Sequence, residues 1–236
     1  MNRLVGHPAL QRGEFQWKAD QLVFLAEWAF FNKTALSSLS TAARDNFYRA
    51  LDSPCKRLED YAEVLLLTVD RLNTLMAASS FPDQLKMSWE GIQSSVKKIC
   101  KKRCTSNSNL WVENVFLVLF LNMGLQNFRE PKLAQEVVEE LNSCYRKAAE
   151  KRSKSTRAKI GEEEPHWLEV VTDILLSLLS QNQHLLRSIV LSVWSSMVSR
   201  LTPGVLQQVL DVSTINCNVV YQKSMMLMFR FLPSGN

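Results

Sequence analysis

The sequence predicts an all-α protein of roughly eight or nine helices, and three observations carry that expectation. Apolar residues recur at spacings of three and four along most of the chain, the period that places them on one helix face. No stretch alternates apolar and polar residues with the strand period. Glycine and proline number only seven each in 236 residues, about half the average share, so a fold of many tight turns is not expected. Short links between the helices leave a bundle or an α-solenoid as the architectures.

Each helix has its own signature in the sequence. Leu22 to Phe31 is apolar on most sides, and Ser40 is expected to cap a helix ending at Leu51. Tyr61, Val64, Leu65, Thr68, Val69, Leu72, Leu75 and Met76 form a stripe, which Phe81-Pro82 terminates. Leu85, Trp89, Ile92, Val96 and Ile99 mark the next helix, ending near Arg103, whose other face is basic. Trp111 to Met123 is apolar nearly all round and predicts a central helix covered on several sides. Pro131 opens a helix that turns Leu133, Val137, Val138, Leu141 and Tyr145 inward.

Charge then interrupts the pattern. Lys147 to Glu164 is rich in both signs and nearly free of large apolar residues, as expected of a flexible loop. Beyond it, Pro165 at a first helical position introduces a stripe from Trp167 to Leu179. Leu186, Ile189, Val190, Val193, Trp194, Met197, Val198 and Leu201 form the clearest stripe of the chain. Thr202 as N-cap and Pro203 start a last helix carrying Val205, Leu206, Val209 and Leu210. The organisation expected is a helical array over 1–150, a charged loop over 151–164, further helices of that array over 165–212, and an irregular, apolar tail over 213–236.

Several function classes are excluded or unsupported. No two glycines stand one residue apart and no Gly-Lys-Ser/Thr occurs, so neither a dinucleotide fingerprint nor a P-loop can be written. No nucleophile elbow is present. Cys100 and Cys104 lie four apart, but zinc needs about four ligands and no histidine is near. His7, His166 and His184 share no ligand spacing, and Glu139, Glu140 and Glu162 to Glu164 read as solvated charge. No catalytic, cofactor-binding or metal-binding residue is therefore assigned, and no cofactor or small-molecule substrate is expected. Five scattered cysteines fit a reducing compartment, and neither a signal peptide nor a membrane span is legible, so a soluble intracellular protein without a membrane partner is expected.

Two motifs remain. Leu175-Leu176-Ser177-Leu178-Leu179 matches the LxxLL docking pattern, but its leucines belong to a stripe that an array would bury. The net charge of +5 is concentrated in Lys97, Lys98, Lys101, Lys102 and Arg103, and in Lys151, Arg152, Lys154, Arg157 and Lys159. Both clusters are candidate nuclear-targeting or nucleic-acid contacts, the second the stronger because it falls in the expected loop. Neither carries interleaved aromatics, so base stacking is not indicated.

The stretch Glu162-Glu163-Glu164-Pro165-His166-Trp167 through Gln181, with His184-Leu185-Leu186-Arg187 and Leu201-Thr202-Pro203 through Val212, resembles the Myb-binding protein 1A family, also called DNA polymerase phi or Pol5-like. A weaker similarity runs from Leu22 to Lys159. The resemblance implies an armadillo-like helical repeat, residence in the nucleus and mainly the nucleolus, and binding to transcription factors and nucleolar proteins. It also implies transcriptional coregulation and a part in ribosomal RNA synthesis or ribosome biogenesis, with rRNA or DNA nearby. The polymerase name brings no residue motif that this sequence matches, so a non-enzymatic scaffold is expected, with a nucleic-acid-binding module as the alternative. Members of that family are much longer than 236 residues, and the chain is expected to be a partial chain or an isoform.

Overall fold

The structure is a computed structural model that describes residues 15–154 and 167–215, apart from 33, 35, 53, 54, 56, 106–109 and 182. The described residues form nine α-helices and no strand, as the apolar period predicts. Two compact units divide them, the boundary falling between Gln135 and Glu136.

In the first unit, α1 (Phe15–Ala26) continues into a π-helical turn, Glu27–Phe31. The Asn32 amide closes that turn on the Glu27 carbonyl at 2.8 Å. The wider turn delivers two consecutive rings to one cluster: Phe30 stacks on Phe128 at 4.8 Å, and Phe31 meets Phe81 edge-on at 5.2 Å. Local widening of this kind inserts one extra residue and rotates the side chains beyond it to a new face.

Helix α2 (Ser37–Leu51) begins three residues before the expected cap. Ser40 already lies inside the helix, its amide bonded to the Leu36 carbonyl at 3.0 Å. Its hydroxyl instead donates to the Ala29 carbonyl at 3.1 Å, so it ties α2 to the π turn. Leu36 precedes the helix with a non-helical ψ of 140° and makes no side-chain cap hydrogen bond.

Helices α3 (Leu58–Ala78) and α4 (Asp83–Thr105) form a hairpin around Phe81-Pro82, where the Leu85 and Lys86 amides both reach the Pro82 carbonyl. Both pack against α5 (Leu110–Gln126), and α1 packs on α2 and α3. Every residue of α5 from Val112 to Gln126 is buried, which fulfils the expectation of a central helix. Gly124 faces Ile92 of α4, and a Cβ there would meet Ile92 Cγ2 at 3.5 Å, an ordinary van der Waals contact. Two buried acceptors of α5 are tied to earlier helices. Tyr61 donates its hydroxyl to Asn122 Oδ1 at 2.9 Å, and Tyr48 donates to the Leu125 carbonyl at 3.2 Å. Burial pushes both phenols well above their ordinary range.

Helix α6 (Pro131–Lys154) opens at Pro131 as expected and buries Val137, Val138, Leu141 and Cys144. It runs on through the first residues of the charged segment to Lys154. The second unit begins within it and continues with α7 (Trp167–Ser180) and α8 (His184–Met197). A 3-10 turn, Val198–Arg200, and α9 (Pro203–Ile215) complete it. Helix α7 is central here, packing against α8 and α9. The predicted stripe of α8 is buried from Leu186 through Met197, whereas Val198 and Leu201 fall beyond its end and are partly exposed.

Thr202 caps α9 as read from the sequence, its Oγ1 accepting the Val205 amide at 3.3 Å. Thr202→Ala is expected to lower the stability of the second unit by about 1 kcal/mol, read from its urea midpoint. Pro165 and the segments 155–166 and 216–236, with Cys217, lie outside the described residues.

Burial in this unit produces a pH effect. Cys144 donates to the Trp167 carbonyl at 3.5 Å, and desolvation, opposed by Lys147, pushes its thiol from 9.0 up to about 12. An unfolded chain releases this proton at lower pH than the folded one. The contribution is therefore complete below about pH 9 and lost as pH rises toward 12. Urea denaturation of the chain at about pH 8 and about pH 10.5 should show a loss that Cys144→Ala reduces.

Candidate functional site

The first basic cluster lies on the C-terminal half of α4, opposite the buried residues Ile92, Val96 and Ile99. Lys97, Lys98 and Lys101 are exposed, while Lys102 and Arg103 are partly covered. Arg103 is engaged structurally: its Nη2 lies 3.1 Å from Glu63 Oε1 and ties α4 to α3. Of the second cluster, Lys151, Arg152 and Lys154 are in the last turn of α6, and Arg157 and Lys159 lie outside the described residues.

Leu175, Leu176, Leu178 and Leu179 are all buried, so the LxxLL stretch is core, as its place in a stripe predicts. Glu139 and Glu140 are exposed on α6, and His184 is exposed at the start of α8; His7, His166 and Glu162 to Glu164 lie outside the described residues. Cys100 is half-buried and Cys104 exposed, both as free thiols. Among the described residues no group of three or more His, Cys, Asp and Glu could hold a metal ion. No described helix is long and apolar enough to cross a membrane.

Sequence reasoning missed a cleft between α3 and α4. It has a volume of about 860 Å³, and its polar walls come from positions that the sequence presents as ordinary solvated faces. Asn73 and Gln93 line it and meet from its two walls, with Asn73 Nδ2 3.4 Å from Gln93 Oε1. Trp89, itself buried, donates its indole N–H to Asn73 Oδ1 at 2.8 Å. Gln93 Nε2 is shielded from water and has no hydrogen-bond partner. Asp70, Lys86, Glu90 and Lys97 also line the cleft. One signal was available: a tryptophan in an apolar stripe needs a partner for its N–H, and Asn73 supplies it.

Comparison with known proteins bears on the whole chain. The family model described as DNA polymerase phi matches residues 1–226. The chain belongs to the DNA polymerase phi family. A Myb-binding protein 1A-like protein of Danio rerio is 35% identical over 133 residues, which is 56% of this chain and 10% of the relative. Myb-binding protein 1A of Drosophila melanogaster is 26% identical over 241 aligned residues, covering 95% of this chain and 21% of the relative. The rDNA transcriptional regulator pol5 of Schizosaccharomyces pombe is 29% identical over 119 residues, 50% of this chain and 12% of that protein. The chain thus spans between about a tenth and a fifth of the length of these relatives. No solved structure matches it.

Proposed function

We propose that the chain is a non-enzymatic, protein-binding segment of a nuclear, mainly nucleolar, scaffold. It binds transcription factors and nucleolar proteins, and it acts in transcriptional coregulation and in ribosomal RNA synthesis or ribosome biogenesis. The observation that carries this reading is the alignment of 95% of the chain with a protein named for binding Myb. The fission yeast relative, named as a regulator of rDNA transcription, supports the ribosomal side. Stacked helices suit such a role because they offer long surfaces without needing a reaction centre.

Affinity purification of the tagged chain from nuclear extract, with and without nuclease, tests the reading. Protein partners that survive nuclease are the expected result, and recovery of none overturns it. The basic cluster from Lys151 to Lys159 serves nuclear targeting in this reading. Replacing Lys151, Arg152, Lys154, Arg157 and Lys159 by Ala is expected to weaken nuclear accumulation of a reporter fusion while leaving its circular dichroism unchanged.

A second reading, a nucleic-acid-binding module, rests on the exposed lysines Lys97, Lys98 and Lys101 of α4. Its signature is a steep fall in affinity for rRNA or DNA as salt rises, since each phosphate contact releases counterions. Affinity insensitive to salt would discard it.

A further inference from the structure

The cleft between α3 and α4 has a chemistry that selects its occupant. The two helices run antiparallel, tied at one end by the Arg103–Glu63 ion pair and joined at the other by the turn around Phe81-Pro82. Between these ties the facing amides of Asn73 and Gln93 form the floor. A side-chain amide has the same donor and acceptor pair as a peptide group. Here one donor, Gln93 Nε2, is left unused, and a shielded polar atom without a partner calls for an explanation.

The rim carries both signs. Asp70 on α3 and Glu90 on α4 are exposed acids, and Lys97 is an exposed base, with Lys86 partly covered. None of the four is held in an ion pair among the described residues. Two acids beside two bases disfavour a polyphosphate backbone, which would meet repulsion from Asp70 and Glu90. An amphipathic helix is equally ill suited, because it needs an apolar groove. The large apolar residues of the cleft, Met76 and Trp89, are already buried. An extended polar peptide satisfies every feature: carbonyls for the amide floor and charged side chains for a mixed rim.

Length agrees. From Lys86 to Lys97 the α4 wall rises about 16 Å at ~1.5 Å per residue. That span accommodates about five residues of extended chain at ~3.3 Å each.

We propose that this cleft holds an extended segment of a partner protein, gripped through its main chain by the Asn73–Gln93 pair and through side chains of both charges by the rim. Gln93 turns about its terminal torsion, giving up its 3.4 Å contact with Asn73, so that Gln93 Nε2 and the released Asn73 Nδ2 both donate to peptide carbonyls. The proposal deepens the protein-binding reading above and rests on it, yet the two can fail separately.

Panning a phage-displayed library of random peptides, each about 12 residues long, on the full chain tests it, with selected peptides resynthesised and their Kd measured by fluorescence polarisation. Gln93→Leu is expected to weaken them at least tenfold. Asp70→Lys, at an exposed position that the fold does not depend on, should weaken those that carry a basic residue by a similar factor. Insertion of α-aminoisobutyrate, which enforces helix, should also weaken binding. The proposal is overturned if no sequence is enriched, if both variants, shown folded by circular dichroism, bind as the parent does, or if helix enforcement tightens binding. Loss of peptide binding in Gln93→Leu with nuclease-resistant partners retained would leave the scaffold role to other faces. Loss of both would place the two functions in this cleft.

Discussion

Trp194→Ala is expected to destabilise the second unit by about 3–5 kcal/mol, the range for removing a large aromatic side chain from a packed core. Trp194 has no solvent exposure and lies in the middle of the α8 stripe, with Val190 and Val193 buried beside it. Its removal leaves a cavity that a rigid helix pair closes only in part, so lost transfer energy and lost contacts add. Small domains are stable by about 5–15 kcal/mol, so the variant would keep a fraction of its stability at best. A urea titration followed by far-UV circular dichroism measures the change. A loss under about 1 kcal/mol would mean that this face is not packed and would reassign it as a partner surface.

Leu117→Asp should have a still larger effect on the first unit. Leu117 is fully buried in α5, which carries an apolar side chain on nearly every face. The substitution removes a leucine, worth about 2–5 kcal/mol by itself, and places a carboxyl where no water reaches. An ionised carboxylate there lacks a partner, and a protonated one still lacks an acceptor for its hydrogen. The total is expected to exceed about 5 kcal/mol and to leave the unit unfolded at about 25 °C, seen as loss of cooperative unfolding and of helical signal. Leu117→Met, which conserves volume and polarity, should cost less than about 1.5 kcal/mol and marks the effect as one of charge.

These two sites show which parts of the fold the sequence makes legible. A residue such as Trp194 announces itself because burial on one face leaves a 3.6-residue period, and Leu117 because burial on all faces abolishes it. Helix starts are less legible. Ser40 has a capping residue type, but its hydroxyl has a better use on the Ala29 carbonyl, and α2 begins at Ser37 without a side-chain cap. The π turn at Glu27–Phe31 depends on the rings of Phe47, Phe81 and Phe128 from distant parts of the chain. No local pattern encodes it.

The candidate site was legible as charge and not as shape. Lysines at positions 97, 98 and 101 are where a solvated helix face puts them. Arg103 looks like their equal in sequence, yet Glu63, forty positions away, engages it. The cleft was hidden for a related reason. Asn73 and Gln93 read singly as polar surface, and only the antiparallel pairing of α3 with α4 makes them a pair.

The all-round burial of α5 also governs how the chain can be made. Helices α3 and α4, which cover it, precede it in the sequence, so they have left the ribosome before its apolar residues emerge. Domains generally fold as units during synthesis, and apolar surface exposed before a unit is complete makes nascent chains prone to aggregate. Vectorial synthesis therefore presents this segment when the helices that cover it are already available to pack on it. A circular permutant starting at Leu110 would reverse that order, exposing α5 before its cover exists, and should demand chaperone assistance that the natural order of helices avoids.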